Sequence, residues 1–156
     1  MRKELDKKAA KEKALRYLEY RTHSEKELTD KLKRAGANEE DIPSIIEFLK
    51  EYGFLNDAEN AKHLARDMQN LKKYGKNRII SELKFRGIDS EYIEDAIAEL
   101  GDSERDTLYP LVARRLGNDF DRKNIEKTVR YFAYRGYKYD DIKSCIDELK
   151  EEFGEE

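Results

Sequence analysis

A glycine-ended helical segment occurs three times in this chain, and a chain that repeats one unit is confined to architectures in which units stack on their neighbours. The segments are LTDKLKRAGANEEDIPSIIEFL (28–49), IISELKFRGIDSEYIEDAIAEL (79–100) and TVRYFAYRGYKYDDIKSCIDEL (128–149). They align on Gly36, Gly87 and Gly136, which fall 51 and 49 residues apart. Four positions before each glycine stands Leu32, Leu83 or Phe132. After it come Ile42, Ile93 and Ile142, then Ile46, Ile97 and Ile146, then Leu49, Leu100 and Leu149. Offsets of three, four and seven put these residues on one helical face. The glycines themselves read as left-handed helix stops, where a side chain would be strained.

One such unit alone would bury only about 60% of its unfolded surface. Stacking lets each unit bury a second apolar face. The expected fold is therefore all-α: three tandem three-helix repeats stacked into an elongated, curved array. Their expected bounds are 1–51, with a charged lead-in, 52–101, and 102–156, with an acidic tail.

Cap signals divide the chain further. Residues 1–13 read as a charged lead-in with a frayed outer end, followed by a helix whose inward side chains are Ala14, Leu15, Leu18 and Tyr17. Ser24 and Glu27 form an S-x-x-E capping box, and Asn56 with Glu59 repeats the pattern. Asn38 or Asp41 caps the third helix, with Pro43 in its first turn, where a missing N–H costs little. Asp89 caps the sixth. Ser103 and Asp106 open the seventh, but Pro110 lies late for a first turn, which moves the expected start toward Asp106. His23 reads as a surface or packing residue, His63 as exposed, and Cys145, between Ile142 and Ile146, as core. A lone cysteine excludes an internal disulfide.

Charged residues make up 43% of the chain, and no apolar run reaches the length of a membrane span. The first residues lack the apolar centre of a secretion signal, so a cytoplasmic protein is expected. No Gly-rich phosphate loop, H-E-x-x-H or C-x-x-C motif is present, so catalytic, cofactor and metal sites are all expected to be absent.

With a formal charge of −3, indiscriminate nucleic-acid binding is not favoured, but the cations are unevenly spread. Lys72, Lys73, Lys76 and Arg78 crowd around Tyr74-Gly75. Between residues 107 and 138, Arg114, Arg115, Arg122, Lys123, Lys127, Arg130, Arg135 and Lys138 face only three carboxylates. These twelve cations form the candidate partner or DNA-binding set. The bland readings are helix-dipole complementation and a solvated face. Tyr131, Phe132, Tyr134, Tyr137 and Tyr139 interleave with the basic residues, a pattern that serves either base stacking or, more often, packing between helices.

The stretch G-F-L-N-D-A-E-N-A at 53–61, followed by Y-G-K-N-R-I-I-S-E-L-K-F-R-G-I at 74–88, resembles the RecX family of recombinase regulators. A-L-R-Y-L-E-Y-R-T-H-S-E-K-E-L at 14–28 is similar to that family's opening helix pair. The resemblance implies a non-enzymatic protein that binds the RecA recombinase filament on single-stranded DNA. Through that contact it would restrain ATP hydrolysis, strand exchange and co-protease activity, and so recombination, repair and the SOS response. It also implies weak direct DNA binding in some members. A monomer with no small-molecule substrate is expected. The alternatives are a helical-repeat module acting on single- or double-stranded DNA directly, and a helical scaffold for an unrelated partner.

Overall fold

The structure, a computed structural model, describes residues 5–154. Nine α-helices and no strand occur among the described residues: α1 (Lys7–Tyr20), α2 (Glu25–Arg34), α3 (Ile42–Glu51), α4 (Asp57–Asn70), α5 (Lys76–Phe85), α6 (Ser90–Glu99), α7 (Glu104–Leu116), α8 (Arg122–Tyr134) and α9 (Tyr139–Phe153). The chain is an all-α repeat array. No described helix is long and apolar enough to cross a membrane.

Local chemistry sets most of the boundaries. At α2, the Ser24 hydroxyl accepts from Glu27 N at 3.0 Å while the Glu27 carboxylate accepts from Ser24 N at 3.1 Å, a complete capping box. The Asn56 side chain accepts from Glu59 N at 3.1 Å at the start of α4. Asp41 holds the cap position of α3 without a side-chain bond, Pro43 lies in the first turn, and Asn38 instead accepts from Glu40 N in the preceding turn. Gly36, Gly87 and Gly136 all have left-handed backbones, with φ of 97°, 79° and 102°.

Two boundaries differ from expectation. The lead-in is already helical from Lys7, because Asp6 accepts from Ala9 N at 2.7 Å and caps α1. Ala10, one turn ahead of Ala14, is then fully buried with it, while Leu15, Tyr17 and Leu18 are only half-buried. The expected fraying of residues 1–4 lies outside the described residues. The second difference is α7, which starts at Glu104 and carries Pro110 in its interior. A proline there costs up to about 3 kcal/mol, which burial of Leu108, Val112 and Leu116 along one stripe can offset.

The chain divides into two compact units, one of residues 1–63 and 83–96, the other of 64–82 and 97–156. In the first, α1, α2 and α3 surround Ala10, Ala14, Leu28, Leu32, Ile42, Ile45, Ile46 and Leu49. In the second, α7, α8 and α9 enclose Leu108, Val112, Leu116, Phe132, Tyr137, Ile142, Cys145, Ile146 and Leu149. The shared face read from the three segments is buried at every position except Ile97 and Leu100, which are half-buried. There α6 stops at Glu99 and the chain turns at Gly101 (φ 77°), whereas α9 runs on to Phe153.

Candidate interaction surface

The same junction is built in both units. In the first, the start of α2 seats on the turn between α5 and α6. The Ser24 hydroxyl donates to Arg86 O at 2.5 Å, and Gly87 lies against the Lys26 stem, where a Cβ would come within 2.5 Å. The N–H of Glu25 donates to the Asp57 carboxylate at 3.0 Å, so the opening residue of α4 satisfies a free donor of α2. Asp57 is held above the ordinary carboxylate range, chiefly by burial.

In the second unit, the start of α5 seats on the turn between α8 and α9. Gly75 N donates to Arg135 O at 2.8 Å and Asn77 N to Gly136 O at 3.1 Å. Lys76 N donates to the carboxylate of Glu104, the opening residue of α7, at 2.5 Å. Ser24 and Gly75 are 51 residues apart, the same spacing that relates Gly36 to Gly87. The repeat is thus expressed in the contacts as well as in the helices.

This second junction places a basic, aromatic surface. Lys73 holds φ +57°, a conformation that costs a residue with a Cβ roughly 1 kcal/mol. Its carbonyl accepts from the Tyr137 hydroxyl at 2.7 Å, while the Arg135 guanidinium donates to Lys72 O. Tyr137 is buried, and burial, with the Glu104 carboxylate second, pushes its hydroxyl up to about 12. The 71–75 loop is therefore fixed at its backbone, while the Lys72 and Lys73 side chains remain exposed.

Beside the loop lies an open groove of about 360 Å³, lined by Lys73, Leu111, Arg114, Arg115, Tyr131, Phe132 and Arg135. Arg115 stacks on Tyr131 at 3.5 Å, and Arg135 lies 5.5 Å from Tyr131 and 5.0 Å from Tyr74. Arg78 lies 4.8 Å from each of Tyr74 and Tyr134. Among the described residues no carboxylate pairs with Lys73, Arg114, Arg115 or Arg135, whereas Arg78 bonds Glu82 at 3.0 Å.

The twelve candidate cations do not form one site. Lys73, Arg114, Arg115 and Arg135 line the groove, with Lys72 and Arg78 next to it. Lys76 is spent on structure: its ammonium donates to Gly101 O and lies 4.0 Å from Asp102. Arg122 bonds Glu126 at 3.1 Å, and Lys123, Lys127 and Lys138 are exposed elsewhere. Arg130 lines a separate groove between α8 and α9 with Lys143 and Lys150 over Ile125, Val129 and Ile146. The aromatic set divides as well. Phe132 and Tyr137 pack edge to face at 6.0 Å in the core, whereas Tyr134 is 75% exposed and Tyr139 56%. Nothing in the sequence marks Leu111 as a groove residue, and Tyr131 stands out only within the aromatic set, because their place in the groove depends on how α7 crosses α8.

Residues 10–49 match the model of the first three-helix domain of RecX, and residues 56–97 that of the second. Over 144 residues the chain is 35% identical to the regulatory protein RecX of Clostridioides difficile (strain 630), spanning 90% of this chain and 68% of that protein. This chain belongs to the RecX family. The RecX of Vibrio campbellii (strain ATCC BAA-1116) is 33% identical over 88% of this chain and 90% of its own length. The crystal structure of RecX from Lactobacillus salivarius superposes with a TM-score of 0.79 at 30% identity, covering 92% of this chain and 96% of that one. A second RecX crystal structure, at 22% identity, shares the fold with a TM-score of 0.77. The RecX proteins of Clostridioides difficile and Vibrio campbellii are named regulatory proteins.

Proposed function

We propose that this RecX-family chain binds the RecA recombinase filament and restrains its ATPase, strand-exchange and co-protease activities, acting in the cytoplasm as a monomer without catalysis of its own. Beyond family membership, the reading rests on one observation: three separate parts of the chain bring Lys73, Arg114, Arg115 and Arg135 to one groove, with no carboxylate partner among the described residues. A solvated helix face would not require that convergence. Contacts spread over a filament would gain avidity without a deep pocket.

The test is ATP hydrolysis by the cognate recombinase on single-stranded DNA while this protein is titrated in. Suppression at well below one molecule per recombinase supports the reading; no effect in excess refutes it. Replacing Lys72, Lys73 and Arg78 together with Glu should preserve helicity and weaken suppression. Lys76 is better left intact, because its ammonium holds the Gly101 carbonyl.

A second reading, direct DNA binding, is favoured by Tyr134, an exposed ring beside Arg78. Its signature is a steep loss of binding as salt rises, since phosphate contacts release counterions.

A further inference from the structure

We infer that the groove between α7, α8 and the 71–75 loop receives a short acidic peptide segment of the protein partner, one in which a large apolar side chain stands between carboxylates. The inference rests on the protein-binding reading above and names the chemistry that its surface recognises.

The groove combines two features. Its rim carries Lys73, Arg114, Arg115 and Arg135, and its walls include Leu111 and Phe132. Guanidinium groups accept carboxylates in paired, directional bonds. Other arginines of the same unit already show that preference: Arg105 bonds Glu148 at 2.5 Å and Arg122 bonds Glu126. The groove arginines have no such partner among the described residues, and Arg115 is held in place by its stack on Tyr131. An apolar side chain from the partner would cover Leu111 and the edge of Phe132, strengthening the surrounding ion pairs by excluding water.

Single-stranded nucleic acid matches the groove less well. Base stacking needs uncovered ring faces, yet Tyr131 carries Arg115 at 3.5 Å, and Tyr74 has Arg78 at 4.8 Å and Arg135 at 5.0 Å. A phosphate chain would also leave the apolar wall without a partner. Carboxylates flanking a Leu or Phe would satisfy both features.

The experiment measures fluorescence anisotropy of three labelled probes titrated with the full chain at two salt concentrations. The first is a nine-residue Glu/Asp peptide with central Leu and Phe. The second has the same charge with glycine at the apolar positions, and the third is a twelve-nucleotide oligothymidylate. The apolar acidic peptide should bind at least about tenfold more tightly than the glycine peptide. R114E/R115E should weaken it by about tenfold or more, and K73E should also weaken it, with unchanged far-ultraviolet circular dichroism. Leu111→Ser should reduce binding of the apolar peptide and leave the glycine peptide unaffected.

Equal binding of the two peptides, no binding, or indifference to R114E/R115E overturns the inference. So does an oligothymidylate that binds more tightly than the peptide and depends on the same arginines. ATP hydrolysis by the recombinase separates the two levels of the argument. Wild-type suppression without peptide binding discards the acidic-segment inference and keeps the regulatory reading, whereas peptide binding without suppression does the reverse.

Discussion

Gly75 and Gly136 meet backbone to backbone: a Cβ on Gly75 would lie 2.5 Å from both the carbonyl carbon and the carbonyl oxygen of Gly136. Gly136 has φ +102°, so its glycine is required by conformation as well, but Gly75 has no left-handed φ and is required by space alone. The Gly75→Ala variant should lose about 1–3 kcal/mol, because the obstruction is rigid backbone. Gly53→Ala, at φ +76° with nothing within 4 Å, should lose only the left-handed strain of about 1–2 kcal/mol. Urea denaturation of both variants checks the ranking, and a Gly75→Ala as stable as wild type would show that the loop can lift from the turn.

Ser24 has two tasks, capping α2 and donating to Arg86 O. Ser24→Ala removes both, and since the residue is buried the loss should exceed that of an exposed cap, reaching about 2–3 kcal/mol. Asn56→Ala, at an exposed cap, should lose nearer 1 kcal/mol. Thermal melts of the pair test whether the junction adds to the cap.

His23 is fully buried, with Nδ1 at 2.8 Å from Arg21 O and Nε2 at 2.8 Å from the Lys31 ammonium. Nδ1–H donates to the carbonyl and Nε2 accepts from the lysine, so the ring is neutral. Burial holds its pKa below the ordinary 6.5, against the bond to Arg21 O, which raises it, while the positive charges of Arg21 and Lys31 lower it further. Below pH 6.5 the unfolded chain takes up a proton that the folded chain refuses. The stability contributed is therefore complete above that pH and is lost as pH falls, by at most about 1.4 kcal/mol per unit, until the folded ring protonates. Denaturation midpoints between pH 7.5 and 5 should fall in wild type and be flatter in His23→Gln.

Cys145 is buried within the α7–α9 core, and burial raises its thiol above the usual range. Thiolate attack on an aromatic disulfide reagent should be negligible in buffer and should reach one equivalent per chain in denaturant. Stoichiometric reaction in buffer at the rate of a free thiol would mean that this core opens readily.

The parts legible in the sequence were those set by neighbours along the chain. Ser24 and Glu27 specify a helix start by themselves, and Gly36, Gly87 and Gly136 mark stops through left-handed backbone. Pro110 misled because local propensity argues for a helix boundary there, whereas burial of Leu108 and Val112 favours carrying the helix through it. The groove was legible only as an excess of charge interleaved with aromatic rings. Periodicity does not tell Arg115, stacked on Tyr131, from Lys76, turned back onto Gly101, because the difference lies in partners distant in sequence.

The junctions also order events in time. Leu5 N donates to Gly36 O, Ser24 to Arg86 O and Gly75 N to Arg135 O, so each upstream segment is completed by a turn that is synthesised later. During translation Ser24 would wait for a partner 62 residues behind it, roughly 3–12 s at about 5–20 residues per second. The nascent chain would therefore close like a zip whose teeth engage one unit late, its earlier helices formed but unlocked until the next stretch leaves the ribosome.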